Sequence, residues 1–85
     1  MNLSFTPTAW AQYTEWQTQD RNVLKRINAL IKDIERNGLM KGIGKPEPLR
    51  YRPGYSRRIT DEHRLVYDGN EEALIILACH GHYAD

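Results

Sequence analysis

Few side chains in this sequence could do chemistry. They are one acid between two prolines, Glu47; two arginines on neighbouring strand-like stretches, Arg58 and Arg64; and a histidine near the last residue, His82. A carboxylate, cations and an imidazole are what metal-free RNA cleavage needs. A base takes the proton of a ribose 2′-hydroxyl, and the freed oxygen attacks the adjacent phosphorus. Cations carry the extra charge of the phosphorane-like transition state, and an acid protonates the departing 5′-oxygen. Flanking by Pro46 and Pro48 restricts the backbone of Glu47, which lowers the entropy lost when its carboxylate is fixed. Each group also has a plainer reading: Glu47 as a loop salt-bridge partner, the arginines as surface cations, His82 as part of a frayed terminus. Arg58 and Arg64 share a face only if an odd-length connection or a bulge separates them; a two-residue loop puts them on opposite faces. Tyr83 either stacks on a base or packs the tail. His63 opens a strand and His80 ends one, and both read as structural.

Other chemistries fit less well. Gly42-Ile43-Gly44-Lys45 lacks the spacing and the following helix of a phosphate loop. Cys79, His80 and His82 are too few and badly placed for zinc, because adjacent residues of a continuing strand point to opposite sides. Neither a metal nor a cofactor is expected. The single Cys79 cannot form an internal disulfide and suggests a reducing compartment. No apolar run approaches the roughly 18 residues of a membrane helix. Residues 1–11 carry no Lys or Arg, unlike a signal peptide. The expected location is the cytoplasm, with no membrane partner.

The net charge of +1 conceals an uneven distribution. Lys41, Lys45, Arg50, Arg52, Arg57, Arg58 and Arg64 lie among only three acids, so residues 41–64 carry +4 and the remainder −3. Such polarity suggests one face suited to phosphates, although a solvated surface with scattered ion pairs gives the same count.

The elements that must position these groups emerge from periodicity. Residues 2–5 alternate as a short strand, and Thr6-Pro7 reads as an N-cap with proline at the first helical position. Trp10, Tyr13 and Trp16 form an aromatic stripe expected to pack against the next helix. Val23, Ile27, Leu30, Ile31 and Ile34 recur on one helical face, with Lys25, Arg26, Lys32, Asp33 and Arg36 expected in solvent. Gly38 suits the cap. Residues 42–48 read as a surface loop or sheet edge. Strands are expected at 49–52, 55–59, 63–67 and 74–79, with a turn at Asp68-Gly69-Asn70. The expectation is one domain over residues 1–85, of the α+β class: an antiparallel sheet of about five strands with an N-terminal helical hairpin on one face, leaving the other face for function.

These residues also carry a family resemblance. Gly44-Lys45-Pro46-Glu47-Pro48-Leu49, the run from Ser56-Arg57-Arg58-Ile59 through Glu62-His63-Arg64-Leu65-Val66-Tyr67, and Cys79-His80-Gly81-His82-Tyr83 closely resemble the signature stretches of the YoeB toxins, within the RelE/ParE superfamily. Trp16-Gln17, Lys25-Arg26-Ile27-Asn28 and Leu30-Ile31-Lys32-Asp33 add to it, so the resemblance covers nearly the whole chain. It implies a microbial-ribonuclease-like, RelE-type fold. It also implies the toxin of a type II toxin–antitoxin system, which enters the A site of the bacterial 70S ribosome and cuts translated mRNA without a metal. By position, Glu47 matches the general base, Arg64 the phosphate-stabilising arginine and His82 the general acid. Arg58 and Tyr83 match supporting residues, Arg50 replaces a basic residue often lysine, and Lys45 belongs to the same basic set. The implied partners are a YefM-like antitoxin, which folds over the toxin and disturbs its active-site tail, and a second copy in a homodimer. Ala84-Asp85 extend beyond the usual terminal tyrosine, Tyr55 stands where a tryptophan is usual, and the loop at 51–54 is shortened. Alternatives are an RNA- or ribosome-binding module that blocks without cleaving, and a related toxin with another target such as gyrase. A carboxylate in the set favours cleavage, because binding alone needs only positive charge.

Overall fold

A computed structural model describes residues 1–82, so Tyr83, Ala84 and Asp85 lie outside the described residues. The chain forms β1 (Asn2–Phe5), α1 (Pro7–Gln19), α2 (Arg21–Asn37), β2 (Glu47–Pro48), β3 (Tyr55–Arg58), β4 (Arg64–Gly69) and β5 (Ala73–Ala78). Local chemistry sets the helix ends. The Thr6 hydroxyl accepts from the Ala9 N–H with Pro7 at the first helical position, and the Asp20 carboxylate accepts from the N–H groups of Asn22 and Val23. Each cap satisfies donors that the first turn leaves without partners. Gly38 ends α2 at φ 94°, donating its N–H to the Ile34 carbonyl. All five residues of the α2 apolar face are buried.

The sheet order is β1-β5-β4-β3-β2, and one pairing departs from expectation. β2 to β5 are antiparallel neighbours, but β1 pairs parallel to β5. Parity explains this. The one-residue link at Asp20 reverses the chain between the helices, so it re-enters the sheet at the end where β1 left. β2 therefore runs opposite to β1, and three further reversals bring β5 parallel to it. A parallel pair needs a long crossover, and everything from α1 to β4 supplies it.

Three other expectations shift. The strand expected at 49–52 forms instead at Glu47–Pro48, where Pro48 sits on a sheet edge that tolerates its missing N–H. The Asp68–Gly69 pair belongs to β4, and the turn falls at 70–73, closed by the Asn70 N–H on the Ala73 carbonyl. The aromatic stripe splits: Trp16 is buried, while Trp10 is 53% exposed and stacks on Tyr13. Residues three apart drift by about 60° around a helix, so Trp10 and Trp16 point about 120° apart.

The largest correction concerns charge. Arg57, expected on the basic face, is fully buried on the helix side of β3. Its Nε donates to the Tyr67 hydroxyl (2.9 Å), Nη1 to Asp33 Oδ2 (2.6 Å) and the Ile43 carbonyl (3.0 Å), and Nη2 to the carbonyls of Gly38 (2.9 Å) and Lys41 (2.7 Å). All five guanidinium donors are thus satisfied, which a buried charge requires. Asp33, expected in solvent, is its counterion. Burial pushes the Tyr67 hydroxyl above its ordinary pKa, against the opposing pull of Arg57, and the protonated hydroxyl donates to the Leu39 carbonyl. Gly42, at φ 120°, makes room for the pair: a Cβ there would lie 1.8 Å from Asp33 Oδ2. The Gly-x-Gly segment serves an internal guanidinium rather than a phosphate.

The hydrogen bond from Arg57 holds the Asp33 carboxyl below its ordinary 3.8, against the opposing effect of burial. A carboxyl lowered by folding stabilises fully above about pH 4, and that contribution is lost as pH falls through the folded-state value. Asp33→Asn is therefore expected to cost about 1–3 kcal/mol at pH 7 and to flatten the stability loss below pH 4. Urea unfolding at pH 7, 4 and 3 checks both.

Candidate active site

The groove on the helix-free face arises from strand alternation. In β3, Tyr55 and Arg57 point to the helices, so Ser56 and Arg58 point away. The register carries that face outward: Glu47 pairs with Ser56, and Arg58 pairs with Arg64. Five residues connect β3 to β4, the odd count that puts the two arginines on one face. The Thr60 hydroxyl shapes this connection, accepting from the N–H groups of Glu62 and His63.

β5 delivers the tail. Val66 pairs with Ala78 but Tyr67 with Ile76, so Leu77 is an extra residue in the strand. Such a bulge bends the strand and re-aims the residues after it. Leu74, Ile76 and Cys79 all stay in the core. The helix α1 grips the chain at Cys79, with the Trp16 indole N–H on the Cys79 carbonyl (2.9 Å) and the Gln12 side-chain oxygen accepting from the Cys79 N–H (2.7 Å). The Arg64 N–H then donates to the Gly81 carbonyl (3.1 Å), which brings the tail alongside the start of β4.

The result is a groove of about 340 Å³ lined by Glu47, Pro48, Leu49, Arg50, Ser56, Arg64 and His82. Glu47 and His82, 35 positions apart in the chain, thus line the same groove as Arg64. Arg58 lies directly across the ladder from Arg64; two like charges so placed repel unless an anion sits between them. Lys45 is exposed at φ 53°, two residues before Glu47 and outside that lining. Tyr83 is outside the described residues. Sequence reasoning misses Ser56, 7% exposed among the lining residues, although its alternation with Arg58 marks it for the same face. A carboxylate, a guanidinium and an imidazole lining one open groove are the groups that can hold a phosphodiester and take and give a proton.

Among the described residues, no three of His, Cys, Asp and Glu converge as metal ligands. Cys79 is buried, and burial pushes its thiol up to about 11. The rise from 9.0 leaves about 100-fold less thiolate than in the unfolded chain. Alkylation of Cys79 at pH 8 is expected to be at least that much slower in the native protein than in urea, as mass spectrometry over time measures.

Comparison with known proteins gives a consistent picture. Residues 5–83 match the family described as "YoeB-like toxin of bacterial type II toxin-antitoxin system". A toxin YoeB of Streptomyces coelicolor is 49% identical over 85 residues, covering 98% of this chain and all of that one. The YoeB dimer from Staphylococcus aureus superposes with a TM-score of 0.92 at 46% identity, over 98% of both chains. A heterotetrameric YoeB-YefM toxin-antitoxin complex from the same organism gives 0.90 at 45% identity, again over 98% of both.

Proposed function

The chain belongs to the YoeB-like toxin family of bacterial type II toxin–antitoxin systems, and from that membership we propose that it is an mRNA endonuclease working in the ribosomal A site. One observation carries the reading: Glu47, Arg64 and His82 line a single groove on the helix-free face of the sheet. In this scheme the Glu47 carboxylate takes the proton from the ribose 2′-hydroxyl. The 2′-oxygen attacks the adjacent phosphorus, and the negative charge that grows on the phosphoryl oxygens falls between Arg64 and Arg58. His82 gives its proton to the leaving 5′-oxygen, so a 2′,3′-cyclic phosphate and a free 5′-hydroxyl result. The carboxylate and imidazole each contribute about 10²–10⁴-fold, and the preorganised guanidinium acts where charge develops. Arg50, on the groove wall, and Lys45 and Tyr83 nearby in sequence hold the nucleic acid in register; no metal or cofactor takes part.

The same reading assigns partners. The solved relatives include a YoeB dimer and a YoeB-YefM complex, which supports a homodimer and a YefM-like antitoxin here. Leu3 and Trp10 are 43% and 53% exposed, apolar area that a partner would cover in so small a chain. No helix among the described residues is long and apolar enough to cross a membrane, and the reading places the toxin in the cytoplasm beside its ribosomal target.

Induced expression in a bacterium with mapping of mRNA 5′ ends tests the proposal. Cuts clustered within translated codons are expected. Arrested translation with intact messages would replace it by occlusion of the A site, and DNA damage without message cutting would point to gyrase. Glu47→Gln and His82→Ala are each expected to lower the cleavage rate by about 10²-fold or more while thermal melting stays near that of the parent; full toxicity of either at equal expression defeats the site assignment.

A further inference from the structure

His63 and the turn before His82 are joined by a bond that the cleavage scheme does not use. The Gly81 N–H donates to Nδ1 of His63 at 2.8 Å, and the Gly81 carbonyl accepts from the next residue along, Arg64, at 3.1 Å. Both backbone groups of the residue before His82 are therefore tied to the start of β4. Gly81 adopts φ 78°, so the chain turns sharply there.

His63 is itself firmly held. Its backbone N–H donates to the Thr60 hydroxyl, and its carbonyl accepts from the N–H groups of Ile59 and Thr60. Its ring lies edge-on to Trp16 with centroids 4.8 Å apart and 4.7 Å from the ring of His80, which stacks on Trp16 at 5.2 Å. This cluster leaves the imidazole little freedom to rotate. Nδ1 offers its lone pair to the Gly81 N–H.

We propose that His63 is a positioning residue: its Nδ1 lone pair clamps Gly81 and so holds His82 at the groove beside Arg64. The proposal rests on the cleavage reading of His82. The tail is gripped twice, at Cys79 by Gln12 and Trp16 and at Gly81 by His63 and Arg64, and His82 is the next residue after the second grip. Without the second grip, the imidazole swings from the first, three residues back. Misplacement of a reacting group by about 1 Å can cost around 10²-fold in rate. His63 touches no reacting atom; it acts through the placement of His82.

The test compares His63→Leu, which lacks an acceptor, with His63→Asn, whose side-chain oxygen reaches about as far as Nδ1 and accepts. Cleavage on translating ribosomes is measured for both, and again in a His82→Ala background. His63→Leu is expected to lower kcat by about 10- to 100-fold with KM within about twofold. His63→Asn is expected to recover to within about fivefold, and His63→Leu to cost less than about twofold once His82 is gone. Parental activity of His63→Leu, an effect confined to KM, no rescue by Asn, or an undiminished loss in the His82→Ala background would each overturn the proposal. Amide exchange at Gly81, read by NMR, needs no activity. Protection lost in His63→Leu and kept in His63→Asn supports the clamp, and unchanged protection in His63→Leu refutes it. If the parent cuts no message at all, the cleavage reading fails, and the exchange result still decides the clamp.

Discussion

A fully buried guanidinium governs the architecture. Arg57 has five donors and no solvent-exposed surface, and an isolated charge in such a place costs several kcal/mol. The chain answers with one carboxylate, one hydroxyl and three carbonyls, and those acceptors come from α2, β4 and the segment after α2. The three carbonyls belong to Gly38, Lys41 and Ile43, so the path of that segment is dictated by the geometry of a planar fork. A path that withdrew those carbonyls would leave donors unsatisfied inside the protein. The segment ends where the Arg58 N–H donates to the Gly44 carbonyl at 2.6 Å, three residues before Glu47. The candidate base thus stands at the end of a loop whose course an internal ion pair has settled.

The opposite face derives from the same strand. Because Arg57 must point to the helices, Ser56 and Arg58 cannot, and the ladder then gives Glu47 and Arg64 the same outward sense. With Arg57 turned inward, its two neighbours point to the opposite face of the sheet, where Ser56 lines the groove and Arg58 lies across the ladder from Arg64. The remaining group, His82, arrives by a different route, through the bulge at Leu77 and the two grips on the tail. A site assembled from an edge strand, two central strands and a terminal turn depends on long-range contacts at every step. Among the described residues, the bonds of Arg57, His63, Cys79 and Gly81 are such contacts.

Local features are legible in the sequence. The α2 face, the Thr6 and Asp20 caps and the strand character of residues 55–58 and 74–78 depend on spacing within a few residues, which periodicity reports directly. The proposed chemistry calls on Glu47, Arg64 and His82 together, and all three line one groove. The parity condition for Arg58 and Arg64 to share a face also holds, but only the folded chain reveals the length of the connection that meets it. Arg57 escapes a count of charges because such a count takes no account of side. The alternation Tyr55-x-Arg57 already places it with an aromatic residue facing the helices, and that signal outweighs composition. The parallel pairing of β1, the start of β2 at Glu47 and the His63–Gly81 bond link residues far apart in sequence, where periodicity is silent. Helical position alone assigns Asp33 to solvent, and only the loop folding over it makes it internal.

If the Arg57 cage fixes the loop that presents Glu47, loosening the cage must slow cleavage without touching the groove. Gly42→Ala does this, since a single methyl group there would meet the Asp33 carboxylate at 1.8 Å while residue 42 itself lies outside the groove lining. Hydrogen exchange and single-turnover mRNA cleavage are measured on the same sample. Protection should be lost at the Ile43 and Arg58 amides and kept in β4 and β5, with cleavage slowed by about tenfold or more. Full protection at Ile43 and Arg58 together with parental cleavage would show that the cage does not hold the base in place.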